Sequence, residues 1–164
     1  MSRSFTNTGQ LPLRVLTRIF VVAALVNAPW EVAQSSLYVG KDGGSIPWWH
    51  CVLMSLGDAV LVLVIFFIGW IILGRLQWFE HPGRTGYATM LMSGLAISIA
   101  TEWMMVYVAH RWGYTKSMPL IPGLGVALAP IAQMLSLPPL IFWVVTKWLS
   151  CNKGPCRFVM PDLK

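Results

Sequence analysis

The sequence predicts an all-α, polytopic membrane protein: four transmembrane helices in an antiparallel bundle, with both termini on the cytoplasmic side. Three observations carry this. Hydrophobic residues make up 56% of the chain and charged residues only 11%, against roughly a quarter charged in soluble domains. Four apolar segments each approach the roughly 20 residues that a helix needs to cross a bilayer core. The Lys and Arg residues divide unequally between the two sides that four spans define.

The spans are expected at 16–38, 47–73, 87–109 and 124–149, all within one transmembrane domain covering 1–164. Arg14 and Arg18 before an apolar stretch ending Val26-Asn27-Ala28 imitate a secretory signal. Pro29 is a poor residue to follow a cleaved bond, and apolar character resumes through Val32 to Val39, so the segment reads as a retained span. The second segment has no polar side chain from Ala59 to Ile68 and is long enough to tilt. The third runs from Tyr87 to Ala109. The fourth contains Pro130, Pro138 and Pro139, which should kink it or shorten its regular part. Short joining loops make neighbouring helices antiparallel.

Four spans put Arg3, Arg14, Arg18, Arg75, Arg84, Lys147, Lys153, Arg157 and Lys164 on one side, and Lys41, Arg111 and Lys116 on the other. Nine against three makes the first side cytoplasmic, and the chain is expected in a bacterial-type inner membrane. Tyr38, Trp48, Trp49, Trp112 and Tyr114 are placed at the outer interface, and Trp78, Phe79 and Trp148 at the inner one. The net charge of +6 forms no basic stripe, so no nucleic-acid partner is expected. The expected partners are the bilayer and, for a transporter of this size, a second copy or a larger membrane complex. The three cysteines make no disulfide framework: Cys51 opens an apolar run, and Cys151 and Cys156 are expected to be reduced and dispensable.

The residues that contradict a lipid environment are Glu31, Asp58 and Glu102, one in each of three spans. An acid near a helix centre costs about 2.5 to 3.5 kcal/mol on insertion scales. These three should therefore face one another or a polar cavity. At 1.5 Å per residue, Glu31 lies about 10 Å below Tyr38, Glu102 about 12 Å below His110 and Asp58 about 16 Å below Pro47. Helical spacing groups Asn27, Glu31 and Gln34 on one face of the first helix, and Cys51, Ser55 and Asp58 on one face of the second, with His50 at its margin. On the third, Gly94, Ser98, Thr101 and Glu102 form a small and polar stripe; the fourth supplies Gln133. Arg111 is the permanent cation expected nearby. Compensation is incomplete, so at least one carboxyl should be protonated near neutral pH unless a bound cation or water fills the deficit.

The candidate ligand-binding or proton-accepting residues are Glu31, Asp58, Glu102, Arg111, His50, Asn27, Gln34 and Gln133. Any metal would fall to His50, Asp58, Glu31 and Glu102, but no metal-ligand motif is present, and no nucleotide motif either. Three functions follow. The first, preferred, is an acid-rich pocket open to the outer side that binds or transfers protons, a cation or a small polar ligand. The second is an intramembrane enzyme using carboxyl acid/base chemistry on a lipid or isoprenoid. The third is a non-catalytic subunit in which the polar network only fixes packing, with Glu102 or Glu31 paired to Arg111 and Asp58 bonded to His50 or Ser55. A blind pocket opening outward favours the first reading and a lateral slot the second.

Overall fold

A computed structural model describes residues 10–41 and 43–151. Arg3, Lys153, Arg157, Lys164 and Cys156 lie outside the described residues, and Cys151 ends the last helix. The described chain is mostly helical: α1 is Gln10–Gln34, α2 Trp48–Leu73, α3 Gly83–Trp103 and α4 Leu128–Cys151. All four are long and apolar enough to cross a membrane. α1 packs on α2 and α4, and α3 packs on the same two.

Apolar residues at helical spacing build the core: Val15, Ile19 and Val22 from α1, Ala59, Val62 and Phe66 from α2, and Leu137, Ile141 and Val145 from α4. The outer faces are apolar too, with Leu25, Val60, Ile71 and Trp143 exposed, whereas Asn27, Glu31, Gln34, Glu102 and Gln133 are buried. Polar inside and apolar outside is the arrangement of a protein solvated by lipid.

Helix ends depart from the expected spans for identifiable reasons. α1 tightens into a 3-10 turn at Ser35–Leu37 before a short strand, β1, Tyr38–Gly40. α3 starts earlier than expected, at Gly83, and continues as a π-helical turn at Met104–Val108. His110 then takes a positive φ of 46°, uncommon for a side chain other than glycine, and the chain reverses into β2, Trp112–Tyr114. Pro130 falls in the first turn of α4, where its missing N–H costs nothing, while Pro138 and Pro139 are interior.

The all-α expectation needs one amendment, since β1 pairs antiparallel with β2. Tyr38 stands opposite Tyr114, Val39 opposite Gly113 and Gly40 opposite Trp112. The Tyr38 ring lies 5.8 Å from Tyr114 and 6.3 Å from Trp112, so an aromatic roof spans the ends of α1 and α3. Tyr38 is thereby buried instead of sitting in an interface belt.

The opposite end is closed by the α2–α3 loop. Trp78 and Phe79 were expected at the inner interface, but both are buried, packed on Phe66 and Phe142 with ring centroids 5.5 to 5.7 Å apart. The Trp78 indole donates to the Phe66 carbonyl at 3.1 Å. It fits only because Gly69 has no side chain, since a Cβ there would overlap the indole. The indole thereby buries its rings and still satisfies its N–H. Trp148 does remain half-exposed, with the Arg18 guanidinium 5.0 Å from its ring.

At Gly94 the small stripe of α3 meets backbone: a Cβ would stand against the Met134 carbonyl of α4. Backbone cannot swing aside as a side chain can. Gly94→Ala is expected to destabilise the protein by about 1 to 2 kcal/mol through this overpacking, read as a lowered thermal midpoint. An unchanged midpoint would show that α3 and α4 can part at no cost.

Candidate functional site

A cavity of about 650 Å³ lies among the helices. Glu31, Gln34, Asp58, Glu102 and Gln133 line it, together with His50 and Arg111. Seven of the eight expected site residues therefore share one cavity. The eighth, Asn27, sits one layer deeper and reaches it through Gln133.

Gln133 is the hub. Its Nε2 donates to Asn27 Oδ1 at 2.8 Å and Asp58 Oδ2 at 2.7 Å and lies 3.1 Å from Glu31 Oε1. Two amide hydrogens are thus shared among three acceptors. Its Oε1 accepts from Gln34 Nε2 at 3.2 Å, and the same Gln34 nitrogen donates to Glu31 at 2.6 Å. One amide of α4 so joins α1 and α2 and brings Glu31 and Asp58 to the same nitrogen. Asn27 is oriented in turn by donating to the Ala23 carbonyl at 2.8 Å.

Glu102 belongs to a second network on the other wall. The Tyr114 hydroxyl of β2 donates to its Oε2 at 2.5 Å, and the same hydroxyl accepts from the Ala127 N–H at 3.3 Å. Burial raises the hydroxyls of Tyr38 and Tyr114 above the usual tyrosine range, and nearby Glu102 adds to both shifts. Both phenols therefore stay protonated at neutral pH, and Tyr114 remains an O–H donor to the carboxylate.

The packing partners expected for a purely structural role are not the ones found. Ser55 donates to the Ala24 carbonyl at 2.5 Å, not to Asp58. His50 Nδ1 is buried without a partner. Arg111 is exposed and lines the cavity along with Lys41, beside the roof residue Trp112. The hydrogen-bond donors that reach the three acids are neutral: Gln34, Gln133 and Tyr114.

The metal set is corrected. His50, Asp58, Glu31 and Glu102 do not form a ligand cluster, because among the described residues no group of three or more His, Cys, Asp or Glu is placed to hold a metal ion.

Sequence reasoning overlooked Tyr38 and Lys41 as cavity residues, Tyr114 as the Glu102 partner, and Met105, which the π-helical turn carries into the lining. Cys51, read as a bystander, also lines the cavity. Only Ser98 had a usable signal, its place on the small stripe beside Glu102. The cavity extends from the loop residues Lys41, Gly44 and Ser45 along α2 as far as Leu61. Compared with family models, curated proteins and solved structures, the chain matches none.

Proposed function

We propose that the chain is an antiparallel four-helix bundle of a bacterial-type cytoplasmic membrane, N-in and C-in, whose acid-rich cavity opens outward and binds a small cation or exchanges a proton for one. The observation that carries this reading is that carboxyls from three helices line one cavity while their hydrogen-bond donors are neutral. Two ionised carboxylates held side by side by one amide repel each other, and a bound cation or a proton relieves that repulsion. Neutral donors orient the carboxyls without cancelling their charge, as a cation site requires.

The proposed orientation is supported by the described basic residues, with Arg14, Arg18, Arg75, Arg84 and Lys147 toward one end and Lys41, Arg111 and Lys116 toward the other. Pairing of β1, which follows α1, with β2, which follows α3, supports an antiparallel course, since both helices then end on one side. A reporter fused after Trp148 should read as cytoplasmic; an external reading would overturn the four-span topology.

The test of function is binding of methylammonium to protein in nanodiscs, followed by calorimetry in two buffers of different ionisation enthalpy. Saturable binding is expected, with proton release, and the Glu31→Gln/Asp58→Asn double variant should lose it. A folded protein that neither binds methylammonium nor releases protons would return the network to a packing role. The extension of the cavity along α2 past Leu53 and Gly57 to Leu61 favours the second reading, acid/base chemistry on a lipid-borne substrate. Turnover of a lipid by the wild type, abolished by Glu31→Gln, would establish it.

A further inference from the structure

Leu53, Gly57 and Leu61 follow one another at i, i+4 and i+8 on α2, and all three line the cavity. Gly57 is also exposed, and a Cβ built on it would meet nothing within 4 Å. The wall of the cavity therefore has a gap between two leucines. Ten residues in from Pro47, this gap lies about 15 Å along the helix, a depth where the surroundings are acyl chains. Across it, α3 presents Ser98, Thr101 and Met105. None of these gap residues is basic.

A small hydrated ion needs only the acid wall formed by α1, α4 and Asp58. The remaining lining, Leu53, Met54, Leu61, Met105 and Met134, suits an apolar body, and the volume falls within the range of pockets that enclose organic ligands. An independent observation points the same way. Ser98 is 2% exposed, lines the cavity, and its hydroxyl has no hydrogen-bond partner. A buried hydroxyl is seldom left unpaired, and this one lines the cavity from the wall that carries Glu102, one turn away.

We propose that the cavity takes an alkylammonium ion with an apolar tail, its N–H groups donating to the paired carboxyls of Glu31 and Asp58 and its tail passing the Gly57 gap into the lipid. This rests on the cation-binding reading above. The missing basic residue at the gap sets the chemistry of the tail: a phosphate following the ammonium would be left there without a counter-charge, which excludes phospholipid headgroups.

The experiment is a series from methylammonium to octylammonium, titrated into protein-loaded phosphatidylcholine nanodiscs with empty nanodiscs subtracted. For the wild type, the apparent affinity should rise by about fourfold per methylene, and Glu31→Gln/Asp58→Asn should abolish the saturable signal. Gly57→Leu puts a side chain where a Cβ meets nothing and improves helix propensity, so the variant should fold and lose the gain with chain length. Octanol should give no saturable signal, and exchanging phosphatidylcholine for phosphatidylethanolamine should leave the octylammonium affinity unchanged. A flat series in a wild type that binds methylammonium overturns the tail and leaves the cation pocket standing. An undiminished gain in Gly57→Leu overturns the route past Gly57, saturable octanol binding overturns the need for a cationic head, and competition by phosphatidylethanolamine overturns the exclusion of phosphate. Absence of methylammonium binding sinks the pocket reading itself.

Discussion

Gln133→Leu should lower the stability of the folded protein by about 2 to 4 kcal/mol, the largest loss expected of any single substitution here. One interhelical hydrogen bond inside a membrane averages only about 0.6 kcal/mol, because the unfolded helices find other partners in lipid. Gln133 differs in degree: its amide group meets Asn27, Glu31, Asp58 and Gln34 together. Leucine would remove all four contacts and leave two carboxyls facing each other across an apolar side chain, and buried polar groups without partners cost about 1 to 3 kcal/mol each. Thermal unfolding in nanodiscs measures the loss. Gln133→Met separates causes, since it keeps the length of the side chain and much of its volume but none of its hydrogen bonds. If Met restores most of the stability, packing rather than the amide is what Gln133 contributes.

The second large effect is expected at the roof. Tyr114→Phe removes the phenol that donates to Glu102 and accepts from the Ala127 N–H. A buried polar group left without its partner costs about 1 to 3 kcal/mol, so amide exchange at Thr115, whose N–H donates to Leu37 at 3.0 Å, should quicken by about 5- to 100-fold. The wild type should also show an alkaline transition that the variant shows less of. With its hydroxyl raised in the folded state, Tyr114 contributes stability that is fully present below the ordinary tyrosine value of about 10 and fades as pH rises through the higher folded value. Equal exchange rates in the two proteins, or identical alkaline profiles, would detach Tyr114 from the support of the roof.

The helices were legible because their signals are local. A run such as Ala59 to Ile68 has one stable environment, and an acid within such a run has few places to go. The convergence of Glu31, Asp58 and Glu102 on one cavity follows from the same penalty. What was not legible is what depends on distant pairing. β1 and β2 are three residues each and separated by more than two helices, with no alternation long enough to announce a strand. Trp112 and Tyr114 looked like interface aromatics because composition cannot tell an aromatic that meets headgroups from one that roofs a cavity. Trp78 was misplaced for the same reason; its burial depends on Gly69, nine residues away and on another element. The donor to Glu102 was invisible since no spacing rule connects a carboxyl on a helix to a phenol on a strand.

The Trp78 seal bears on what kind of rate the protein can display. Trp78 and Phe79 fill the end of the helix ring opposite the roof, packed on Phe66 and Phe142 beneath the acid cavity. A ligand that has reached the acids finds no continuation toward that end, so it leaves at the roof end or past Gly57. Such a chamber is a cul-de-sac: its behaviour is governed by dwell time and occupancy, and a bilayer loaded with it should remain electrically silent at any ligand gradient while the aromatic seal stays shut.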